Sequence, residues 1–500
     1  MAAEWGPAMA LTDIKHVFVL MLENRSFDHM LGAVAFNKVD LSGAASAVQG
    51  IAAGAFTNRD AAGTLYANST PAPPTMPVDP PHEYDDVVLQ LLNGNADPPY
   101  NYNVTAIGNQ GFVKSYAQAA GASPLGQILA SFTPAQVSNL AFLAQEYCLC
   151  DAWYSSLPGP TVPNRFFLLA GTSGGNPKSP PDLRIVAGEF IDKFSFANGN
   201  IFQRIRAKTK LGFRIYRGDS LPFSELLDGV DLAADTVPFD PATFAADCSA
   251  PDLPEFVLIE PNYGILDGFR SGNSQHPMGN VQAGDQLIRD VYEGISGSAA
   301  WGSSVLIITY DEHGGFFDHV APPKAVAPGD VPDLYDFHFT QLGVRVPAVI
   351  VSPLVVRRNL VDHTVYDHTS VLATLREIFP EIGVFTMRDR MAAPLNPLFA
   401  GEPPPPAPAP LPAAAGPRIV PQPAPAGLPD DGEPLGHTEL SALRIAGGLS
   451  HRLGRVPKAQ ALSEIKGLRT KGEVREYLRR IDAMVAVKAR PRRNRRRGKR

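Results

Sequence analysis

Short, uninterrupted apolar runs, each bounded by polar residues or turns, recur along most of the chain. Runs of this length are typical of strands buried on both faces, as in a parallel sheet. The segments 281–295 and 368–378 between or after them show helical spacing of apolar residues. This alternation predicts an α/β fold, a three-layer sandwich with a mostly parallel central sheet. The runs are His16 to Leu22, Glu255 to Ile259, Val305 to Tyr310 and Val346 to Val351.

A proline-rich segment divides the chain. Gly401 to Pro434 holds 13 prolines in 34 residues. Because proline lacks a backbone donor and fixes φ, this segment cannot form packed helix or central sheet. We predict a body over residues 1–400 and an extended linker over 401–435. Near-helical apolar spacing predicts a small helical appendage of two or three short helices over 436–487. A basic, disordered tail is expected over 488–500.

The net charge of -6 is unevenly distributed. From Lys488 to Arg500 there are nine positive side chains and no negative one, which leaves -15 for the rest of the chain. An acidic body argues against non-specific nucleic-acid binding by the main domain. It suits a carboxylate-rich site that holds a cation. The tail could contact an anionic membrane or nucleic acid, or it could be a solubilising end only.

Neither the cysteines nor the N-terminus indicates an exported protein. Three cysteines are too few and too sparse for a disulfide framework, so buried free thiols are favoured. The first fifteen residues contain Glu4, Asp13 and Lys15 and no apolar run of signal-peptide length. No run is long enough to span a membrane. We expect no transmembrane segment and a cytoplasmic location by default, with secretion by another route left open.

Acidic and amide residues follow three of the predicted strands. The first runs into Glu23 and Asn24, another into Glu260, and a third into Asp311 and Glu312. Ligands bind at the carboxyl ends of parallel strands, where residues distant in sequence converge. Hard oxygen ligands of this kind hold divalent cations. The alternative is that these are ordinary strand-end acids facing solvent.

The segment LPGPTVPNRFFLLAGTSGG, from Leu157 to Gly175, contains a Pro-Gly-Pro turn followed by a predicted helix. Pro163 suits the first turn of that helix, so Thr161 lies at or just before its N-terminus. Free backbone N–H groups and the helix dipole favour a phosphate there. A hydroxyl becomes a good nucleophile only when a metal or base activates it. On local sequence alone, a helix cap is the favoured role for Thr161.

The histidines have no zinc-type spacing. His82 follows Asp79 and two prolines in a loop, and His276 lies in NSQHP, just before a helix. Such loop histidines can donate a proton to a leaving group, although surface or capping roles are the simpler interpretation. Physical reasoning does not rank the four histidines near the late strands, which are His313, His319, His363 and His368.

Several segments together resemble one family, the bacterial phosphoesterases that include non-haemolytic phospholipase C and a respiratory-burst-inhibiting acid phosphatase. They occur in matching order over about residues 14 to 395, and the first and fifth are long and specific. The resemblance implies an alkaline-phosphatase-like α/β core. The segments are HVFVLMLENRSFDHMLG (16–32), DPPHEYDD (79–86), GPTVPNR (159–165), NSQHPMGNVQAGDQLIRDVY (273–292), YDEHGGFFDHV (310–320) and YDHTSVLATLREIFP (366–380).

The resemblance also implies roles for individual residues. Glu23, Asn24, Asp311 and Glu312 correspond to the ligands of a divalent metal ion, whose identity the sequence does not reveal. Thr161 corresponds to the hydroxyl nucleophile, which is Ser in some members and Thr in others.

His82 and His276 correspond to the phosphate-binding and proton-donating histidines. Members of the family often have Asp-His-Pro at the second of these positions, whereas Gln275 precedes His276 here. The acid that would orient His276 is therefore not identified.

These observations predict a phosphate ester hydrolase of the phospholipase C type, acting through a metal-activated threonine and a phosphothreonine intermediate. The substrate class is a phosphate ester, with a phospholipid as one candidate. The alternatives are an acid phosphatase-type phosphomonoesterase and a non-catalytic scaffold protein. Phospholipase members usually carry an export signal and C-terminal β domains, whereas this sequence shows a proline-rich segment, short predicted helices and a basic tail.

Overall fold

The computed structural model describes most of the chain. The described residues are 11–92, 107–120, 124–179, 192–330, 337–399, 407–412, 428, 430–433, 435, 437–454 and 456–488. The predicted tail lies outside them from residue 489 onwards, as does most of the predicted linker.

Fourteen strands lie in the described part of the chain. They are β1 His16–Leu22, β2 Lys38–Val39, β3 Ala45–Ser46, β4 Thr57–Arg59, β5 Leu65–Ala67, β6 Cys148–Cys150, β7 Trp153–Tyr154, β8 Phe213–Arg217, β9 Thr236–Pro238, β10 Phe256–Glu260, β11 Ser304–Tyr310, β12 Ala348–Val351, β13 Leu360–Asp362 and β14 Tyr366–Asp367.

Ten of the strands in the described residues form one sheet, in the order β3-β2-β13-β6-β12-β11-β1-β10-β8-β9. At its centre β11, β1, β10 and β8 are parallel neighbours. Every residue of β10 and of β11 is buried, so the sheet is covered on both faces there. The structure therefore confirms an α/β fold with a mostly parallel central sheet.

The apolar run Val346 to Val351 forms β12, but this strand is antiparallel to both of its neighbours, β11 and β6. Between β11 and β12 the described residues contain no helix that could carry the chain back across the sheet. The chain therefore re-enters the sheet from the edge at which it left. A buried apolar run indicates a strand but does not indicate its direction.

The helices of the described residues surround this sheet. They are α1 Tyr84–Leu91, α2 Phe112–Ala120, α3 Ser138–Glu146, α4 Thr161–Ala170, α5 Ile201–Lys208, α6 Leu232–Asp235, α7 Pro241–Cys248, α8 Val281–Ser296, α9 Thr369–Ile378, α10 Met387–Met391, α11 His437–Gly454, α12 Lys458–Gly467 and α13 Lys471–Lys488. The predicted helices at 281–295 and 368–378 are α8 and α9. None of the helices in the described ranges combines the length and apolarity needed to cross a membrane.

The larger helices form two packed groups. Helix α8 contacts α3 and α7, whereas α4 and α10 contact α9 and α5 contacts α4. With both faces of the central strands buried, these groups form the outer layers of the sandwich.

The C-terminal helices pack against the body. Helix α11 contacts α12 and α13 and also the short 3-10 helix Phe223–Leu226, while α13 contacts the 3-10 helix Ile265–Asp267. The described residues 407–412 of the predicted linker also contact the body, where Tyr292 donates to the carbonyl of Ala409 at 2.7 Å. The helical appendage is thus continuous with the main hydrophobic core.

Candidate active site

The ends of β1 and β11 meet at one edge of the sheet. Leu22 pairs with Tyr310, so the residues that follow each strand are adjacent. The backbone N–H of Asn24 donates to Asp311 Oδ1 at 2.9 Å. Asn24 adopts a left-handed backbone conformation with φ of 57°. Gly314 leaves room for this turn, since a Cβ there would lie 2.1 Å from the carbonyl oxygen of Asn24. The predicted pairs of polar residues are therefore brought together.

Thr161 is the first residue of α4, and its hydroxyl donates to Asn24 Oδ1 at 3.3 Å. The N-cap position is occupied by Pro160, and no side chain caps the helix. The helix-cap interpretation of Thr161 is therefore wrong. The side chain instead reaches across to the end of β1, next to the free N–H groups of the first helical turn.

Asn164 holds the Pro-Gly-Pro turn in place. Its amide nitrogen donates to the carbonyl oxygens of Gly159 and Pro160 at 2.9 and 3.1 Å, and its amide oxygen accepts from the backbone N–H of Leu157 at 3.1 Å. One buried side chain thus supplies the contacts that fix the position at which α4 starts, and with it Thr161.

Arg165 lies one helical turn after Thr161 and was not predicted as a site residue. Its Nε donates to Asp311 Oδ2 at 3.1 Å, and its terminal nitrogens donate to the Tyr263 hydroxyl at 3.0 Å and the Leu22 carbonyl at 3.2 Å. The sequence could have indicated this role, because residues four apart share a helix face and Arg165 follows Thr161 by four. Arg165 connects α4 to the ends of β1 and β11.

Glu23 and Glu312 each have one buried carboxylate oxygen without a hydrogen-bond partner, Glu23 Oε2 and Glu312 Oε1. Burial raises the pKa of Glu23 to about 8, with Arg165 opposing the rise and Asp311 adding to it. Burial also raises the pKa of Glu312 to about 8, although His82 opposes the rise. Unpartnered buried carboxylates are costly in a folded protein, and a divalent cation would satisfy them.

Backbone hydrogen bonds hold the Asp311 carboxylate in place. Besides the bond from Asn24, its Oδ1 accepts from the backbone N–H of Glu312 at 2.7 Å. Behind it, His368 donates from Nε2 to the Asp311 carbonyl at 2.6 Å and accepts from Trp153 Nε1 at 3.3 Å. His368 therefore supports the end of β11.

His82 faces the end of β1. Its Nδ1 donates to the Pro80 carbonyl at 2.7 Å, which leaves Nε2 to face Asn24 Nδ2 at 3.2 Å. Burial by itself would lower the pKa of His82, but Glu312 and Asp79 outweigh this and raise it to about 10.

An acid that the sequence did not indicate lies beside His276. Its Nε2 lies 3.6 Å from Asp79 Oδ1, its Nδ1 accepts from the Met278 amide at 3.4 Å, and the Phe269 ring packs 4.5 Å away. Burial lowers the pKa of His276 well below its usual value. Asp79 begins the motif DPPHEYDD, so an acid from that loop takes the place next to His276. Gln275 instead accepts from the Tyr310 hydroxyl.

Glu260 is not grouped with the other strand-end acids. Its carboxylate accepts from the Ser224 hydroxyl at 2.8 Å and from the Tyr263 hydroxyl at 3.2 Å. It therefore supports Tyr263, and through it Arg165. His313 Nε2 lies 2.7 Å from Gln90 Oε1.

A second buried acidic cluster lies away from these residues. Potential ligand atoms of Asp28, Asp318 and His319 lie within 4.8 Å of one another, the one such set of acidic, histidine or cysteine side chains among the described residues. The ligand atoms of Glu23, Asp311 and Glu312 do not all lie within that distance of one another. In the second cluster, however, Arg345 contacts Asp28 at 2.9 Å and Asp318 at 3.2 Å. A guanidinium group therefore already balances those carboxylates.

A cavity that is partly open to solvent lies in front of Thr161. Its lining combines polar side chains with a set of apolar ones, which together are called the apolar wall below. The polar lining includes Glu23, Asn24, His82, Thr161, Arg165 and His276. The apolar lining includes Val162, Phe223, Leu226, Ile265, Ala442 and Ile445.

A second cavity adjoins the first. His82, Glu83, Phe269 and His276 line both. The second cavity is more polar, with three basic side chains, Arg270, Lys471 and Arg475, and six acidic ones, Asp79, Glu83, Asp86, Asp430, Glu433 and Glu439.

Comparison with known proteins identifies related sequences over most of the chain. A family model described as "Phosphoesterase family" matches residues 14–380. Non-specific phospholipase C6 of Arabidopsis thaliana is 32% identical over 403 residues, which cover 76% of this chain and 71% of that protein. Phospholipase C B of Mycobacterium tuberculosis is 28% identical over 448 residues, covering 77% and 80%.

Similar solved structures share only part of the architecture. An alkaline phosphatase superfamily protein from Vibrio parahaemolyticus has a TM-score of 0.28 and 15% identity, covering 51% of this chain and 66% of that one. A phosphonate monoester hydrolase from Silicibacter pomeroyi has a TM-score of 0.29 and 12% identity, covering 54% and 72%.

Proposed function

The chain belongs to the phosphoesterase family, and from that premise we propose that it is a phospholipase C-type phosphodiesterase with Thr161 as its nucleophile. It is a phosphate ester hydrolase, as its family and its relatives indicate. The proposal concerns the class of ester and the mechanism. The relatives are named phospholipases C, which supports a diester substrate here.

The observation that carries the proposal is the position of the Thr161 hydroxyl. It lies at the start of α4, 3.3 Å from Asn24 Oδ1, and on the wall of the cavity. A phosphoryl group in front of it would accept hydrogen bonds from the free N–H groups of the helix. The same N–H groups would stabilise charge that develops on the phosphate oxygens.

We further propose that Glu23, Asn24, Asp311 and Glu312 hold one divalent cation. The residues fit such an ion because they offer hard oxygen donors and include two buried carboxylate oxygens without a partner. When bound, such an ion lowers the pKa of a hydroxyl and neutralises phosphate charge.

The reaction proposed has two displacements. The Thr161 hydroxyl loses its proton to solvent, and its oxygen forms a bond to phosphorus while the bond to the leaving alcohol breaks. His82, whose raised pKa keeps the ring protonated, gives the alcohol its proton, and His276, whose pKa is lowered, contacts the phosphate as an uncharged ring. Water then attacks the phosphothreonine, His82 takes a proton from that water, and the threonine oxygen is released. The Pro80 carbonyl orients the His82 ring, and Asp79 lies 3.6 Å from the His276 ring.

The cavities favour a diester over a monoester. A diester carries two alcohol groups, and here an apolar and a polar cavity meet beside His82 and His276. A monoester dianion would need more cationic groups, whereas acidic side chains outnumber basic ones in the second cavity. A phospholipid, with its apolar and polar alcohols, matches this arrangement.

The test compares two soluble substrates, nitrophenyl phosphate and nitrophenyl phosphorylcholine, with and without a chelator. We expect hydrolysis of the diester, loss of activity with chelator, and recovery when divalent cation is added back. Preference for nitrophenyl phosphate would instead support the acid phosphatase-type monoesterase. Absence of hydrolysis of either substrate under metal-replete conditions would support the non-catalytic scaffold.

A further inference from the structure

We infer that Ala442 and Ile445 of α11 are specificity-determining residues of the active site. They form part of the apolar wall of the cavity in front of Thr161, although they follow the body and the proline-rich segment in sequence. This inference rests on the proposed function, because it names the apolar alcohol group of the phosphate ester as the moiety that contacts this wall.

The fold places α11 at the cavity through a buried face. Ala442 and Ile445 are three residues apart and therefore share one side of the helix, where Leu449 continues the stripe as a fully buried residue. The helix packs on the 3-10 helix Phe223–Leu226, which itself contributes Phe223 and Leu226 to the wall.

Charged contacts hold α11 in this place. Glu225 is nearly fully buried and forms salt bridges with Arg452, at the end of α11, and with Lys193 of the body, the latter at 3.1 Å. Arg444 stacks its guanidinium group 3.7 Å from the centre of the Phe194 ring. A helix fixed by packing and by ion pairs at a buried acid presents its side chains to the cavity in a defined position.

The C-terminal segment also lines the second cavity. Asp430 precedes α11, and its carboxylate accepts hydrogen bonds from Arg475 of α13 at 2.8 and 2.9 Å. It also forms a salt bridge with Arg270 of the body at 3.5 Å. These three residues all line the polar cavity. The segment therefore contributes to both cavities that meet beside the catalytic histidines, and removing it would open the site on two sides.

The chemistry of the wall indicates what it contacts. Apolar side chains form much of the cavity lining, and none of them can hydrogen-bond to a phosphate or to a sugar-like alcohol. An acyl or alkyl group that packs there is stabilised in proportion to the apolar surface it removes from water. Filling this space with a larger side chain should therefore lower turnover more for long apolar substituents than for short ones.

The experiment uses the full chain, with Ala442→Trp and Ile445→Trp. Substrates are dibutyroyl-, dihexanoyl- and dioctanoyl-phosphatidylcholine, assayed below their critical micelle concentrations, together with nitrophenyl phosphorylcholine. We expect kcat/KM for the dioctanoyl ester, divided by that for nitrophenyl phosphorylcholine, to fall about tenfold or more in each Trp variant. Turnover of the small substrate is measured for each variant as the denominator of this ratio, so a general loss of activity does not count as a change in chain-length preference.

Matched truncations provide the control for folding. Ile445→Ala removes a cavity-lining side chain, whereas Leu449→Ala removes a buried side chain of the same helix that does not line the cavity. Both variants should lower the thermal unfolding temperature, but only Ile445→Ala should change the chain-length preference. The inference is overturned if Leu449→Ala changes that preference equally, or if none of the cavity variants changes it.

Failure of the proposed function gives a different result. If the wild-type protein hydrolyses monoesters and no diester, the phospholipase C-type proposal is wrong. The role of α11 is then decided by the same variants on alkyl monophosphates of increasing chain length. A preserved loss of long-chain turnover supports the inference, and an unchanged chain-length profile overturns it.

Discussion

The guanidinium group of Arg165 lies 3.1 Å from the carboxylate of Asp311, with both side chains almost fully buried. The contact joins the helix that begins at Thr161 to the strand end that carries two predicted metal ligands. Removing one partner of a buried pair leaves the other as an uncompensated charge. We therefore expect Arg165→Met to lower the free energy of unfolding by about 3–5 kcal/mol, measured by denaturant unfolding.

The same substitution at an exposed pair provides the control. Arg480 contacts Glu464 at 2.5 Å, and its side chain is 57% exposed, so Arg480→Met should change stability by less than about 1 kcal/mol. Equal stability of the two variants would show that the Arg165–Asp311 pair does not hold the site together.

Two acidic clusters compete as the metal site, and isosteric substitutions distinguish them. Glu23→Gln and Glu312→Gln each remove one charge from a site whose nearby cationic groups are Arg165 and His82. We expect both variants to lose bound divalent metal, measured by atomic emission after gel filtration, and to lose turnover.

Asp318→Asn is the matched variant in the other cluster. Because Arg345 would lose one of its two carboxylate partners there, the expected effect is on stability, at about 3–5 kcal/mol, with metal content unchanged. Loss of metal in Asp318→Asn but not in Glu23→Gln would place the ion at Asp28, Asp318 and His319 instead.

The strands and the polar residues that follow them could be predicted because each signal is local. A strand buried on both faces appears in the sequence as a continuous apolar run. Strands β1 and β11 end at the residues directly before Glu23 and Asp311. The end of a parallel strand then indicates where those side chains converge. The position of Thr161 at a helix start was also local, since it follows from the Pro-Gly-Pro turn.

The contacts between distant segments could not be predicted in this way. Asp79 lies beside His276 and Arg165 beside Asp311 only after the loops and α4 have packed. For α11, apolar spacing indicated a helix with a buried face, but periodicity does not reveal which surface covers that face. The direction of β12 was missed for the same reason, because it depends on the path of the chain and not on its own residues.

Asp430 should make docking of the C-terminal segment sensitive to acid. Its side-chain hydrogen bonds from Arg475, aided by Arg270 and opposed by burial, lower the pKa of Asp430 from 3.8 to about 2. A lowered carboxyl pKa contributes stability above the unfolded value, and that contribution is lost as pH falls through the folded value. The groups facing it are Arg475, Arg270 and Lys471, all cationic across this range, and the neighbouring acid Asp431.

We expect Asp430→Asn to be less stable than wild type by a constant amount above about pH 4. The difference should shrink as the pH falls towards about 2, and added salt should reduce it. Thermal unfolding of both proteins across this range measures it. A difference that grew on acidification would contradict the assignment of Arg475 as the stabilising partner.

Thr161 should become covalently phosphorylated during turnover. Thr161→Val keeps the branched shape and removes only the hydroxyl that faces Asn24, so we expect it to fold, to bind metal and to lose at least about 10³-fold in kcat. Thr161→Ser retains the hydroxyl and should stay within about tenfold of wild type. Thr172→Val, the same substitution just beyond the end of α4 and outside both cavities, should leave kcat unchanged.

Rapid acid quench followed by peptide mass analysis should find added phosphate on the Thr161 peptide of the wild type and none in Thr161→Val. If Thr161→Val turns over at the wild-type rate, the attacking group is a water molecule, and the side chain at the start of α4 only shapes the site.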